Sequence, residues 1–318
     1  MKNLRDLPKL RDSLSYVYLE HARVEQTNKA VSVRDEHGET HVPAAALGVI
    51  MLGPGTVITH SAVKTLTDCG CVILWVGDGG THYYAQGHGE TRSSRRLLRQ
   101  AACHADTATR AAVVMKMYEL RFEDPLPGGL KIEQVRGREG VRVRTAYARA
   151  SKATGVPWHG RRYDRGTWYG TDRINRALST AASCLYGICH CGIVSAGYSP
   201  ALGFIHTGKM LSFVYDIADL YRIDVIVPIA FEICADYRHV EHARGMSASI
   251  RAACRDAFHQ HRILDRLVAD MDRLFDISPE DIERATCFLD GDDDPPGGLW
   301  DSPDCEVEGG KNYGSDNP

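Results

Sequence analysis

Apolar positions in the first ninety residues alternate with polar ones or gather in short runs, and this pattern predicts strands. The segments "SYVYLEHARVEQ" and "KAVSVRD" alternate, and "DEHGETH" supplies a turn at Gly38. "LGVIML" and "CVILWVG" are continuous apolar runs of strand length, with one short helix, "THSAVKTLTDCG", between them. "GDGGTHYYAQG" reads as a glycine turn followed by another strand. Neither "LGPGT" nor "GDGG" continues into G-K-[ST], so both are turns rather than phosphate loops.

After "GHGETRSS", which reads as a linker, the apolar spacing becomes helical. One helical stretch covers "SRRLLRQAACHADTATRAAVVMKMYELRF" and is broken by "EDPLPGG". A second is "KIEQVRGREGVRVRTAYARASKATG". A third is "GTDRINRALSTAASCLYGICHCGIVSAG", with Thr171 or Asp172 as N-cap. A fourth, "MLSFVYDIADLYRIDVIVPIAFEICADY", should divide near Pro228, and "SASIRAACRDAFHQHRILDRLVADMDRLFD" is the fifth. From about residue 277 the chain turns acidic and rich in Pro, Gly, Asp and Ser, a composition that signals disorder. The expected fold class is therefore α+β. A β-rich domain (1–90) precedes an all-α domain (91–276) and a flexible acidic tail (277–318).

Charge sharpens this division. The net charge of −3 combines 12 acidic and 2 basic residues from Ile277 onward with a body of 36 basic and 29 acidic residues. The basic bias peaks over 131–176, where 12 Lys/Arg face 4 Asp/Glu, and a basic body of this kind suits a polyanion. The apolar runs noted above are too short to cross a bilayer, and the N-terminal segment lacks an apolar core for a signal peptide, so a cytoplasmic protein without a membrane partner is expected. The ten cysteines form no evident disulfide framework. Cys189, His190 and Cys191 lack the paired C-x-x-C spacing of zinc sites and read as packing residues.

Candidate chemistry centres on "HTGKMLSFVYDIAD" at 206–219. Asp216 and Asp219 are three apart, on one face of a predicted helix that is otherwise apolar, and His206 precedes them by a glycine-containing turn. Buried carboxylates require a positive partner. Glu139 is a lone acid in the arginine run "RGREGVRVR", with Val135 and Val143 on its face. Singly, each residue has an ordinary structural use: neutralising arginines, facing solvent, or capping a turn. Together, carboxylates and one imidazole offer a three-ligand site with open positions, suited to Mg²⁺ or Mn²⁺. Arg138, Arg142 and Arg149 recur on one helix face, as do Arg251 and Arg255 on another, and both sets could follow phosphates. Tyr186 shares a face with Asn175, Ser179 and Ala182 and suits either nucleic-acid contact or the core.

The segments "RGREGVRVRTAY", "INRALSTAASCLYG", "GYSPALGFIHTGKMLSFVYDIADL" and "VPIAFE" resemble the CRISPR-adaptation integrase family, CRISPR-associated protein one. "EHARVEQ" and "MLGPGT…TH" resemble its type I-E branch. The resemblance runs from about residue 4 to about 275. It implies an N-terminal β-sandwich-like dimerisation domain and a helical catalytic domain. It also implies metal ligands at Glu139, His206 and Asp219, a further acid at Asp216, and a tyrosine near the scissile phosphate at Tyr186. DNA-contacting positions fall on His21, Lys64 and Lys209. His21 stands where some relatives place a tyrosine that wedges a duplex end, and Val57 where some have a basic residue.

The implied reaction is metal-dependent transesterification: the 3′-OH of a captured double-stranded DNA fragment attacks a phosphodiester of the CRISPR repeat. The implied assembly is a homodimer joined to CRISPR-associated protein two in a heterohexamer. With water as nucleophile the same site would be a nuclease acting on branched or repair DNA, and a non-catalytic DNA-binding scaffold is the rival from another class. By composition Trp300 and Tyr313, large aromatics in the acidic tail, belong to a solvated tail; the resemblance implies instead that they would anchor the partner.

Overall fold

The computed structural model describes residues 16–27, 30–80, 82–89, 94–122, 124–161, 172–237 and 245–278. The chain divides into two units, 1–278 and 279–318, and every described residue lies in the first. The expectations for the tail, Trp300 and Tyr313, and for Thr171 as an N-cap, lie outside the described residues.

The strand-rich part holds two four-stranded sheets. One is ordered β1 (Tyr16–Leu19), β5 (Val49–Leu52), β7 (Val72–Val76), β8 (Tyr83–Gly87), with the first three parallel and β8 antiparallel. The other is ordered β4 (Gly38–Pro43), β3 (Ala30–Asp35), β2 (Arg23–Thr27), β6 (Val57–Ile58). "SYVYLEHARVEQ", expected as a single strand, is two strands in different sheets. The chain breaks at His21, whose φ is +49° and whose N–H donates to the Pro54 carbonyl at 2.9 Å. The continuous apolar runs have a direct cause, because the β5–β7 sheet is buried on both faces. Ile50, Leu52 and Ile73 pack with Val24, Val31 and Val33 of the second sheet and with Ala62 and Leu66 of α1 (His60–Asp68). Val49, Met51, Val72, Leu74 and Val76 belong instead to the core that the helices build.

Eight further helices follow among the described residues: α2 (Arg95–Ala105), α3 (Thr107–Glu119), α4 (Ile132–Thr154), α5 (Arg173–Ala196), α6 (Ser212–Tyr221), α7 (Val227–Asp236), α8 (Met246–Gln260) and α9 (Ile263–Leu274). Two stretches expected as single helices are pairs. Asp106 adopts extended backbone and its carboxylate accepts the Thr109 N–H at 2.8 Å, ending α2 and capping α3. Arg262, at φ +48°, separates α8 from α9. Asp172 caps α5 by accepting the Asn175 N–H at 2.8 Å. The division near Pro228 is a five-residue π turn, Arg222–Ile226, between α6 and α7. Proline has no N–H for the Asp224 carbonyl, so the helical ladder loosens just ahead of it.

The long central helix is α5. By length and composition alone it could cross a membrane, although it is no uninterrupted apolar run. It is nevertheless a core helix, with 67% of that apolar window buried inside the protein against α6 to α9. Cys189 and Cys191 are buried in this core, and burial pushes both thiols up, Cys191 to about 12. His190 stacks on Tyr83 at 3.7 Å and burial lowers its pKa to about 4. All three act in packing as they stand.

A sheet with two buried faces should tolerate truncation on neither. Ile73→Ala and Leu74→Ala point to opposite faces, and each should lower stability by about 2–5 kcal/mol. Urea melts of the two variants check this; a near-neutral result for either would mean that one face meets solvent.

Candidate acidic centre

A fully buried carboxylate organises the loop between α5 and α6. Asp216, on α6, is 0% exposed. Its Oδ2 accepts the N–H groups of Phe204 at 2.5 Å and Ile205 at 3.1 Å, and its Oδ1 accepts that of His206 at 2.8 Å. The His206 Nδ1 lies 2.7 Å from the same Oδ1. Charge-assisted bonds contribute about 1.5–3 kcal/mol each. Four of them offset a desolvation cost of several kcal/mol for the ion. The turn is also sterically closed at Gly203, where a Cβ would lie 2.3 Å from the His206 carbonyl oxygen and 2.6 Å from the Ser212 Cβ. The resemblance makes Asp216 a further acid beside the metal ligands rather than one of them, and the positive partners that meet Asp216 are three backbone N–H groups and an imidazole. It is a positioning group for His206.

With Nδ1 tied to Asp216, the half-exposed imidazole has Nε2 left for a ligand. The bond to Asp216 raises the His206 pKa, helped by the Asp219 charge and opposed by burial and Arg222. One turn beyond Asp216, Asp219 lies beside Arg222, whose Nη1 is 2.9 Å from Oδ1. That approach is poorly aligned, and Oδ1 is a buried oxygen without a hydrogen bond. Glu139, on α4, receives a fork from Arg142 at 2.8 and 3.1 Å. Arg121, just past α3, lies between the acids, 3.6 Å from Glu139 and 3.9 Å from Asp219.

The fold thus brings Glu139, Asp219 and His206 into one neighbourhood, with Tyr186 at its edge. The Tyr186 hydroxyl accepts from Arg222 Nη2 at 2.5 Å, and its ring meets Tyr215 edge-on at 5.0 Å. Burial raises its pKa, so the phenol keeps its proton. Among the described residues no three His, Cys, Asp or Glu side chains converge closely enough to hold an ion as they stand, because guanidinium groups stand against the carboxylates. The donor set still fits a hard divalent cation: two carboxylates, one of them with an unbonded oxygen, and an oriented imidazole. A cleft of about 420 Å³, lined by Arg144, Tyr147, Trp158, Arg161, Tyr186 and Arg222 among others, opens beside this group.

Among the expected phosphate contacts, Arg138 and Arg149 are exposed on α4, and Lys209 is exposed on the His206 loop. Arg142 faces inward onto Glu139. Arg251 is half-buried, and Arg255 is exposed beside Asp256 at 3.2 Å. His21 and Lys64 are exposed in the strand-rich part, away from the helices that carry the acids. Arg121, Tyr215 and Arg222 are absent from the sequence reading. Arg222 stands three residues after Asp219, a spacing that signals an ion pair; Arg121 carries no such signal.

Carboxylates and an imidazole ringed by arginines on a helical scaffold define a class of protein equipped for phosphodiesters. The sequence pattern of the family CRISPR associated protein Cas1 matches residues 15–124 and 117–242. The chain is 53% identical over 319 aligned residues to CRISPR-associated endonuclease Cas1 2 of Thermus thermophilus, covering 100% of this chain and 95% of the relative. It is 42% identical to CRISPR-associated endonuclease Cas1 of Geobacter sulfurreducens, covering 85% of this chain and 87% of the relative. The crystal structure of a TtCas1–DNA complex matches with a TM-score of 0.78 at 54% identity, over 85% of this chain and 99% of that one. The chain belongs to the Cas1 family.

Asp216→Asn should move the His206 pKa downward in the metal-free protein, as read by NMR titration of the imidazole. In the wild type the folded state binds that proton more tightly than the unfolded state. The extra stability is therefore full below the ordinary imidazole range and is lost as pH rises through the raised pKa. In Asp216→Asn this pH-dependent component should shrink. An unmoved imidazole titration would contradict the pairing.

Proposed function

We propose that the chain is a CRISPR spacer-acquisition integrase, an endonuclease that joins the 3′-OH of a captured DNA fragment to the CRISPR repeat by phosphodiester transesterification. The observation that carries this reading is that Arg121 lies near both Glu139 and Asp219, whose charge in turn reaches an Asp216-bonded His206. Family membership, the endonuclease names of the relatives and the DNA complex of a 54%-identical protein support it.

Glu139, Asp219 and His206 would hold Mg²⁺ or Mn²⁺. When bound, the ion supplies Lewis-acid stabilisation of charge on the phosphoryl oxygens. Asp216 keeps Nδ1 of His206 engaged, so that the ring presents Nε2. Arg142 and Arg222, paired with the carboxylates and partly exposed, can exchange those partners for phosphate oxygens when a duplex arrives. Tyr186 keeps its phenol proton and donates to an oxygen near the reacting phosphate. Arg138, Arg149, Lys209, Arg251 and Arg255 hold the backbone, with His21 and Lys64 at the strand-rich end. With water as nucleophile the same site would nick DNA, in keeping with the endonuclease names of the relatives.

The finer assignments rest on the sequence resemblance: a type I-E enzyme acting in the cytoplasm, with residues to about 90 as the dimerisation domain and 91–276 as the catalytic domain. CRISPR-associated protein two completes the complex, gripped by the acidic tail through Trp300 and Tyr313.

Glu139→Gln, His206→Ala and Asp219→Asn should each reduce strand transfer at least about a hundredfold. Most duplex affinity should be retained. An assay with an oligonucleotide donor, a repeat-bearing plasmid and Mn²⁺ checks this; wild-type transfer by Glu139→Gln, or transfer in excess EDTA, would overturn the reading. Arg138→Ala and Arg149→Ala should each weaken DNA binding regardless of sequence and lower the salt slope by about one unit. Unchanged slopes would remove those arginines from the DNA path.

A further inference from the structure

Arg121 is the most enclosed arginine of the acidic centre, although Arg222 too has a buried Nε without a hydrogen-bond partner. Arg142 and Arg222 form close contacts, at 2.8 and 2.9 Å, and their side chains are 20% and 31% exposed, so each can swing outward. The Arg121 side chain is only 5% exposed. Its nearest carboxylate oxygens are 3.6 and 3.9 Å away, beyond hydrogen bonds, and its Nε and Nη2 are buried without a hydrogen-bond partner. What holds it is the Tyr118 ring, 5.0 Å from the guanidinium carbon, and its place at the C-terminal end of α3, where a cation is favoured. A buried guanidinium with unsatisfied donors is poor structural material, since its desolvation is not offset by directed bonds. Its charge, however, lies between two carboxylates from different helices that would otherwise repel each other in a medium of low dielectric constant.

We propose that Arg121 is a resident counter-cation of the acidic centre, holding Glu139 and Asp219 together while no divalent ion is bound and opposing the ion when it enters. This deepens the metal-dependent reading above and rests on it. Arg121 is a positioning residue that acts through the two carboxylates, and it has two consequences. The acidic centre keeps its shape in the ion-free protein. Divalent affinity is held below what the three donors alone would reach, because the incoming ion meets a fixed positive charge that cannot turn out to solvent. Arg142 and Arg222, being partly exposed, offer less fixed opposition, since a phosphate can draw them toward solvent.

Metal-free, full-length protein titrated with Mn²⁺ and followed by EPR of the free ion tests this. Arg121→Met, close in length and uncharged, should bind Mn²⁺ about tenfold more tightly than the wild type. Arg121→Lys should stay near the wild type, and Glu139→Gln should lose the site. Thermal unfolding of the metal-free protein gives a second readout. Arg121→Met should lower Tm, and Glu139→Gln in that background should recover part of the loss, because one of the two repelling charges is gone. Unchanged or weaker Mn²⁺ binding by a folded Arg121→Met protein, or losses of Tm that simply add in the double variant, would overturn the proposal while leaving the metal reading intact. A wild type that binds no Mn²⁺ dependent on Glu139 would overturn both.

Discussion

The carboxylate of Asp216 is shut off from water and met by four donors: the N–H groups of residues 204, 205 and 206, and the His206 ring. Those bonds offset the desolvation of a buried ion, and they work only if the loop before α6 folds back over the helix in one conformation. The same four bonds therefore shape the loop, set the tautomer and direction of the imidazole, and fix the rotation of α6. Because Asp219 follows three residues later, that rotation aims it at the space His206 faces. Gly203 tolerates no side chain at the crossing, which leaves the turn little room to relax.

Around this fixed point the remaining charges are arranged by reach. Glu139 comes from α4, Arg121 from the end of α3, Tyr186 from α5 and Arg222 from the π turn that Pro228 forces on the α6–α7 junction. The carboxylates of Glu139, Asp216 and Asp219 balance the guanidinium groups of Arg121, Arg142 and Arg222 in formal charge without an ion. Under the proposed reading, substrate phosphate and divalent cation would be coupled, because phosphate would draw Arg142 and Arg222 off the carboxylates that hold the cation. The buried α5 and the sheet covered on both faces supply the rigid support on which sub-ångström placement of these groups depends.

Much of this could be read in the sequence because it is local. "CVILWVG" is apolar throughout since both faces of β7 are covered, and Asp216 and Asp219 share a face by helical periodicity. Asp172 and Gly155 mark helix ends by their own backbone chemistry. The missed features depend on contacts between distant segments or on one residue's dihedral angles. His21 and Arg262, with positive φ, break a strand and a helix where residue type gives no warning. Asp106 has a good capping side chain, yet the apolar spacing runs on through it. The bonds that orient Asp216 come from backbone N–H groups that no pattern of side chains reveals. Arg121 owes its place to the packing of α3 against α4, and nothing near it in sequence points to Glu139 or Asp219.

The central claim is that Glu139, His206 and Asp219 form one cation site held in shape by Asp216. Anomalous diffraction from crystals grown with Mn²⁺ tests it most directly. The expected result is a single strong anomalous peak bonded to a Glu139 oxygen, an Asp219 oxygen and His206 Nε2, with Nδ1 still on Asp216. A peak bound elsewhere, or crystals in which Arg121, Arg142 and Arg222 keep their present partners with no peak between the acids, would contradict it.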